Sequence, residues 1–210
     1  YLTFLNDDDT PDNPLATDSF SDVQLFEDSS NSLNLTIGGS STSAELSSYT
    51  NQDIDSDAVL SNGDSTLTLT GNTWTKADLA TTSSPGGYTI TENTVLSFSF
   101  DSSSEGEIQG IGFDNDDITS PDRTFQLASS QSFGLQAFNT YVTGSGPQTY
   151  TIPVGEYYTG DFQYLTFLND DDTPNDPLAT DSFSDIQLYE ASNSLNPVSY
   201  THLRAHETGY

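Results

Sequence analysis

The chain of 210 residues has no cysteine and no methionine, and its 3 lysine and arginine residues face 32 aspartate and glutamate residues. Without cysteine it can form neither a disulfide framework nor a thiol-based site. The formal net charge of −29 at pH 7 repels nucleic acid and anionic membranes, so we expect neither as a partner. Such an acidic balance suits divalent cations or high-salt surroundings.

Long apolar segments are also missing, since no run approaches the roughly 18 apolar residues that a membrane span needs. Membrane insertion is therefore not expected. Hydrophobic residues make up only 32% of the chain, yet its 12 phenylalanines and 11 tyrosines stand in short alternating runs. This distribution favours a folded chain with polar linkers over a disordered one.

One stretch of sequence occurs twice, as residues 1–27 and residues 164–190. The two copies differ only at Asp12/Asn175, Asn13/Asp176, Val23/Ile186 and Phe26/Tyr189. A segment that closes one unit and also precedes it indicates a tandem array. Each copy reads as two short strands around a long acidic loop, which predicts a β-hairpin at the edge of a sandwich. Either the first copy lies free of that sandwich or it competes for the same place. Chain continuity favours the second copy.

The repeat divides the chain into five parts. Residues 1–27 are predicted to be the last strand pair of a truncated preceding repeat, 28–48 a Ser/Thr-rich linker and 49–190 one complete module. Residues 191–197 then begin the next linker, and 198–210 are excluded from the fold because 198–208 resemble a translated sequencing adaptor. With that tail set aside, the chain has no histidine, and only Lys76 and Arg123 are basic.

Short strands with turn residues between them are predicted throughout the module. Residues 65–70 alternate threonine with leucine, and 93–101 place Leu96, Phe98 and Phe100 on one face. Further strands are expected at residues 74–79, 88–90, 107–113, 123–127, 149–154, 163–169 and 183–190. No segment has a convincing helical period. We therefore predict an all-β fold, an antiparallel β-sandwich.

The ordered motifs of this module resemble those of a bacterial non-catalytic module appended to secreted marine polysaccharide-degrading enzymes, such as agarases. They are SNGDSTLTLTGNTWTKADL, NTVLSFSFDSSSEGEIQGIGFDNDD, RTFQL, QTYTIPVGEYYTGDFQYLTFLNDDD and SDIQLYE. The resemblance implies a jelly-roll carbohydrate-binding module with structural calcium, outside the cell or at its surface. Where such modules carry Trp-Gly after the RTFQL strand, this chain has Phe133-Gly134.

Acidic clusters are the clearest candidates for metal ligands. Asp170 and Asp172 belong to a run of three aspartates, and Asp114 and Asp116 follow a predicted strand. Neighbouring carboxylates repel one another, and calcium with its six to eight oxygen ligands relieves this repulsion. The resemblance adds a separate set of ligands, because in jelly-roll modules calcium joins the start of the domain to the last strand. Here that set is Gln52, Asp53 and Asp185.

Sugar binding needs an aromatic face and planar polar groups. The candidates are Arg123, Phe133, Tyr141, Asp114 and Asn115. Arg123 could instead pair with a neighbouring acid, and an aromatic residue in a loop can simply cover the core. Trp74 is expected to be a core residue.

Three functions remain open. The first is a calcium-stabilised module that binds a polysaccharide, such as a marine algal galactan, with tandem copies adding avidity. The second is a calcium-stiffened structural repeat of a surface adhesin or biofilm-matrix protein, whose partners are neighbouring repeats. The third is a jelly-roll glycanase that uses Glu105 and Glu107, which a strand would place on one face. Because no set of aromatic subsite residues surrounds these acids in the sequence, we expect no catalysis by this segment.

Overall fold

The computed structural model describes residues 45–52, 55, 57–63, 65–80, 85–172 and 178–191, and the backbone of one short strand before them. This part of the chain contains β-strands and short 3-10 turns but no α-helix. The strands are β1 Leu33–Asn34, β2 Leu46–Ser48, β3 Ala58–Ser61, β4 Thr66–Thr70, β5 Thr73–Asp78, β6 Tyr88–Ile90, β7 Thr94–Ser102, β8 Ile108–Asp114, β9 Thr124–Ala128, β10 Gln148–Ile152, β11 Gly160–Phe162, β12 Tyr164–Asp170 and β13 Thr180–Glu190.

Two large antiparallel sheets and one small strand pair make up the fold. The first sheet has the order β10-β7-β13-β4-β3, with β1 also paired to β13, and the second has the order β2-β5-β12-β8-β9. Strands β6 and β11 form the separate pair. The chain crosses directly between the two large sheets from β1 to β2, β2 to β3, β4 to β5, β7 to β8, β9 to β10 and β12 to β13. The last four of these crossings are those of a jelly roll. The prediction of an all-β antiparallel sandwich is confirmed.

The core between the two sheets follows from the period-two alternation of the strands. In β4, Leu67 and Leu69 are buried while the threonines around them are half-exposed. In β7, Leu96, Phe98 and Phe100 are buried in the same way. Each such side chain contributes about 1.5–3 kcal/mol when it is fully buried. The largest fully buried aromatic side chains are Tyr49, Phe98, Phe100, Phe113, Phe125, Phe167 and Phe183.

Residues 164–190 do not form the edge hairpin that the sequence predicts. Their two strands, β12 and β13, lie in different sheets, and each is the central strand of its sheet. Phe167 of β12 and Phe183 of β13 meet across the interface, with ring centroids 5.1 Å apart. Alternation marks the buried face of a strand, but it does not identify the strand's hydrogen-bonding neighbours. The repeated segment therefore joins the middles of two sheets.

The sandwich also begins earlier than the predicted boundary at Tyr49. Strands β1 and β2 lie inside residues 28–48, the predicted linker, and they pair with β13 and β5. Leu46 of β2 packs against the core. β1 has only two residues and β2 only three, and both lie in a serine-rich stretch, so neither can show the period-two alternation of a strand. The predicted truncated repeat at 1–27 and the adaptor-like tail at 198–210 lie outside the described residues.

Replacing Phe183 with alanine should lower the free energy of unfolding by about 3–5 kcal/mol, because its buried ring contacts rings from both sheets. The matched control is Phe20→Ala, the same change in the first copy of the repeat. If the second copy forms the core, Phe20→Ala leaves stability unchanged. Guanidinium unfolding measures both variants, and an equal loss from Phe20→Ala would show that the first copy competes for the place.

Candidate metal centre and ligand site

Three acidic side chains meet at the end of the sandwich where β12 leaves its sheet. Carboxylate oxygens of Glu107, Asp170 and Asp172 all lie within 4.8 Å of one another. The Glu107 N–H donates to the Asp170 carbonyl oxygen at 2.6 Å, which brings the segment before β8 against the end of β12. Gly106 permits this approach, because a Cβ there would lie 2.9 Å from that carbonyl oxygen. We name these three side chains the outer triad.

The outer triad has the chemistry of a site for a hard cation. Burial, followed by the charges of Glu107, Asp172 and Asp171, raises the pKa of Asp170 to about 6. Gln131 Nε2 donates to Glu107 Oε1 at 2.8 Å and orients that carboxylate. Calcium accepts oxygen ligands of this kind and would offset their mutual repulsion. The residues present therefore fit calcium, and two of them, Asp170 and Asp172, are predicted ligands.

Asp171, the middle residue of the three consecutive aspartates 170–172, points toward the interior. Asp171 is buried, and its Oδ2 accepts a hydrogen bond from the Ala179 N–H at 2.5 Å. Successive side chains of an extended chain alternate in direction, so residues 170 and 172 face outward while 171 faces inward. This bond ties together the two ends of the connection between β12 and β13.

Three polar residues that the sequence analysis does not single out lie in the interior behind this connection. Gln109 of β8, Asn169 of β12 and Asp181 of β13 are each 0% exposed. Each stands two residues from a buried hydrophobic residue of its own strand. These neighbours are Ile111, Phe167 and Phe183. A polar residue at an inward position of an alternating strand is the sequence signal that could have identified them.

Asp114 and Asp116 are not brought together with a third acid in the described part of the chain. Asp114 is buried, and its Oδ1 forms an ion pair of 2.7 Å with Arg123 Nη2. Asp116 is exposed, and its Oδ1 accepts a hydrogen bond from the Ile118 N–H at 2.8 Å. Arg123 thus supplies at Asp114 the positive charge that we predicted a metal would supply.

Of the ligand set implied by the family resemblance, the structure describes Gln52 and Asp185, and the set stays a prediction. Gln52 Oε1 accepts a hydrogen bond from the Thr119 hydroxyl at 2.5 Å, in the loop after β8 of the second sheet. Asp185 is exposed in the first sheet, at a bulge of β13 where its φ is 53°. The bulge directs this side chain outward. Asp53 lies outside the described residues.

Phe133, a predicted sugar-binding residue, lies on the outer face of the second sheet. Its ring packs edge-on against Trp74, with centroids 6.0 Å apart. Together with Tyr49, Ile108 and Leu168, they form an apolar cluster separate from the main core. Phe133 is half-buried whereas Trp74 is only 4% exposed, so Phe133 carries the exposed aromatic surface of this cluster.

Arg123 stands at the same edge as Phe133. A Cβ at Gly134 would lie 2.4 Å from the Thr124 carbonyl oxygen and 3.2 Å from that of Pro121, so the Phe133 loop runs tightly against the turn that carries Arg123. The Arg123 side chain remains 29% exposed beside its buried partner Asp114. The backbone of the Phe133 loop therefore packs against the turn that carries Arg123. The Arg123 guanidinium itself lies 5.6 Å from the centroid of Phe162, a ring of the main core.

Asn115 adjoins the Arg123 pair but is engaged by the backbone. Its Nδ2 donates to the Asp161 carbonyl oxygen at 2.9 Å, and its Oδ1 accepts from the Gln163 N–H at 2.8 Å. Asn115 therefore fixes the loop after β8 against the segment that leads into β12. Its role as a direct sugar contact stays a prediction.

Tyr141 is a core residue and presents no aromatic face to a sugar. It is 8% exposed, and its ring packs edge-on against Phe100 at 4.9 Å. Its hydroxyl donates to Asp101 Oδ1 at 2.7 Å and accepts from the Ser102 N–H at 3.0 Å. The Gly/Ser-rich neighbourhood of Tyr141 suggests an exposed loop, but two polar partners let the hydroxyl be buried.

Glu105 and Glu107 do not share one face of a strand, because β8 begins only at Ile108. Glu105 is exposed, and Glu107 belongs to the outer triad. The spacing argument for a glycosidase pair therefore does not apply to these two residues.

No protein-family model matches the chain, and no curated protein matches it significantly. Among the described residues, no helix is long and apolar enough to cross a membrane.

The raised pKa of Asp170 predicts a pH dependence of stability in the absence of divalent cations. The folded state holds this proton more tightly than the unfolded state, whose carboxyl has the ordinary pKa of 3.8. Its stabilising effect is therefore complete below about pH 4 and is lost as the pH rises through about 6.

Asp170→Asn removes this titration, so the variant should lose less stability than the parent chain over that interval. Urea unfolding in a chelator at a series of pH values measures the difference. Asp185→Asn, which removes an exposed carboxylate, is the control and should keep the parental slope. Identical slopes for Asp170→Asn and the parent chain would contradict the assignment.

Proposed function

We propose that this chain is a non-catalytic polysaccharide-binding module stabilised by calcium, acting outside the cell or at its surface and repeated in tandem. The observation that carries sugar binding is Phe133, a half-exposed ring that packs against the buried Trp74. A half-exposed aromatic ring held against a sheet is suited to stacking on a sugar ring.

Each part of this surface has a separate role. The Phe133 ring stacks on the apolar C–H face of a sugar, and the exposed part of the Arg123 guanidinium donates to its hydroxyl groups. Asp114 holds that guanidinium in place through the ion pair of 2.7 Å. Asn115 holds the adjoining loop. The site is built on strands and tight turns, so little ordering is needed when a ligand binds.

The charge of the chain restricts the ligand to a neutral polysaccharide. A net charge of −29 repels an anionic glycan, and the charge of Arg123 is balanced by Asp114. A neutral algal galactan satisfies this restriction. Tandem copies of a weak site of this kind would gain avidity on a polymer that repeats the same unit.

Calcium enters the proposal through the outer triad. Glu107, Asp170 and Asp172 together supply three carboxylates at the connection between the central strands of the two sheets. A cation there would join β12 to the segment before β8 and hold the connection closed. Extracellular calcium in the millimolar range is sufficient for a site of moderate affinity.

A structural repeat of a surface adhesin or matrix protein is the second candidate. The near identity of residues 1–27 and 164–190 favours it, since arrays of recently duplicated units are typical of such proteins. The burial of Tyr141 and Trp74 also favours it, because it leaves Phe133 as the one predicted aromatic contact of this surface that is half-exposed among the described residues. Polysaccharide binding separates the two candidates.

Phe133→Ala should weaken binding to a neutral galactan by about tenfold or more, because a central aromatic contact commonly contributes more than 1 kcal/mol. Affinity electrophoresis in agarose gels with calcium measures this change. Val142→Ala, at a side chain 69% exposed, is the matched surface control and should bind like the parent chain. If the parent chain binds no polysaccharide in millimolar calcium, the sugar-binding proposal is wrong and the structural repeat is favoured.

Calcium at 100 times its dissociation constant should stabilise the fold by about 2.7 kcal/mol per site. Asp172→Asn should lose one calcium-binding event in titration calorimetry, while Asp185→Asn keeps it, because only the first residue belongs to the outer triad. Both substitutions remove one exposed carboxylate, so net charge is matched. An unchanged melting temperature on chelation would contradict a calcium role.

A further inference from the structure

Gln109, Asn169 and Asp181 converge inside the sandwich at the end closed by the β12–β13 connection. Gln109 and Asn169 are direct cross-strand partners in the second sheet. Gln109 Nε2 donates to Asp181 Oδ1 of the first sheet at 2.6 Å. A Cβ at Gly106 would lie 3.2 Å from Asn169 Oδ1 and 3.4 Å from Gln109 Cγ, so both side chains border the space beside Gly106. We name these three side chains the inner cluster.

The inner cluster has fewer protons than acceptors. The two amide protons of Gln109 face three acceptors, namely Asp181 Oδ1, Ser102 Oγ at 2.8 Å and the Ser104 carbonyl oxygen at 3.1 Å. The Ser102 hydroxyl reaches both the Asp181 carboxylate and, at 2.8 Å, the Ser104 carbonyl oxygen, so its one proton serves two acceptors. The Asn169 amide group donates to the Ala179 carbonyl oxygen at 2.9 Å, which fixes its orientation.

Three buried oxygens therefore remain without a donor from the described residues. They are Gln109 Oε1, Asn169 Oδ1 and Asp181 Oδ2. A buried oxygen without a partner costs about 1–3 kcal/mol, and a charged one costs more. A cation bound at this end of the core would interact favourably with all three oxygens.

The described part of the chain supplies no positive charge to this place. Its two basic side chains are engaged elsewhere, Lys76 with Asp117 at 2.6 Å and Arg123 with Asp114 at 2.7 Å. Asp171, buried nearby, adds a second negative charge that acts on Asp181. A buried carboxylate beside another acid needs a counter-ion or a proton.

We propose that the inner cluster is a second cation site, in which calcium is bound by Asp181 Oδ2, Asn169 Oδ1 and Gln109 Oε1 between the two sheets. All three ligands are oxygens, which is the preference of a hard cation, and one carboxylate with two amide oxygens suits calcium better than a softer metal. Bound there, the ion would join β8 and β12 of the second sheet to β13 of the first.

The inner cluster is separate from the outer triad and does not depend on sugar binding. Asp170 and Asp172 belong to the outward-facing triad. Asn169 is fully buried and faces inward, on the same side of β12 as Phe167. This site shares with the proposed function only the identity of the ion. Loss of the outer site, loss of the inner site and loss of sugar binding are therefore distinguishable by substitution.

Equilibrium dialysis of the full chain with radioactive calcium tests the inner site. The parent chain should bind two ions, Asp181→Asn one, Asp172→Asn one and the double variant none. The two substitutions are matched, because each replaces one carboxylate with an amide of the same shape. If Asp181→Asn binds as many ions as the parent chain and keeps its calcium-dependent rise in melting temperature, Asp181 is neutralised by a proton and the proposal is overturned.

A crystal of the unaltered chain soaked in terbium, a calcium substitute, gives a test that no folding defect can affect. The expected result is an anomalous peak among the three oxygens, at about 2.3–2.6 Å from Asp181 Oδ2. A peak at the outer triad alone, or none at either place, would overturn the proposal.

Discussion

The contact between Phe167 and Phe183 is the interaction on which the rest of the sandwich depends. These rings belong to the central strands of the two sheets, and their centroids are 5.1 Å apart. Every other strand of the large sheets pairs with one of these two strands or with a neighbour of one. The ring packing therefore fixes the position of one whole sheet on the other. A repeated segment that supplies both central strands is the part of the module that can least be removed.

The central positions of β12 and β13 also determine where the acidic and amide side chains cluster. Since β12 and β13 are central and lie in different sheets, the chain between them must cross the end of the sandwich. Asp170 to Asp172 stand at the start of this crossing, and alternation sends the middle one inward and the other two outward. One run of three aspartates thus serves two faces of the same connection. The outer triad and the inner cluster are both consequences of that crossing.

The alternation of residues predicts the principal strands and the β-sandwich, but it does not predict their partners. Leu67, Leu69, Phe98 and Phe100 show a buried face directly, because hydrophobic and polar residues alternate there. Pairing depends on contacts between distant parts of the chain, which leave no local pattern. For this reason the sequence of residues 164–190 predicts a hairpin, although its two strands lie in different sheets.

The candidate site is less predictable than the fold, because a side chain's role depends on which partner reaches it. Composition identifies Asp170 and Asp172, since adjacent acids are visible in a sequence. It does not show that Arg123 neutralises Asp114 or that Asp101 and Ser102 satisfy the hydroxyl of Tyr141. Both outcomes arise from loops that fold back over the sheets.

Positive and negative charges are distributed unevenly over the sandwich. Lys76 and Arg123 each pair with an acid at the second sheet, and Lys76 also lies 4.6 Å from the centre of the Tyr49 ring. Both cations thus contribute to holding loops against that sheet. The acids at the other place, around the β12–β13 connection, receive none of this compensation from the described residues. Under the proposed function, cations from the surroundings would complete the balance there.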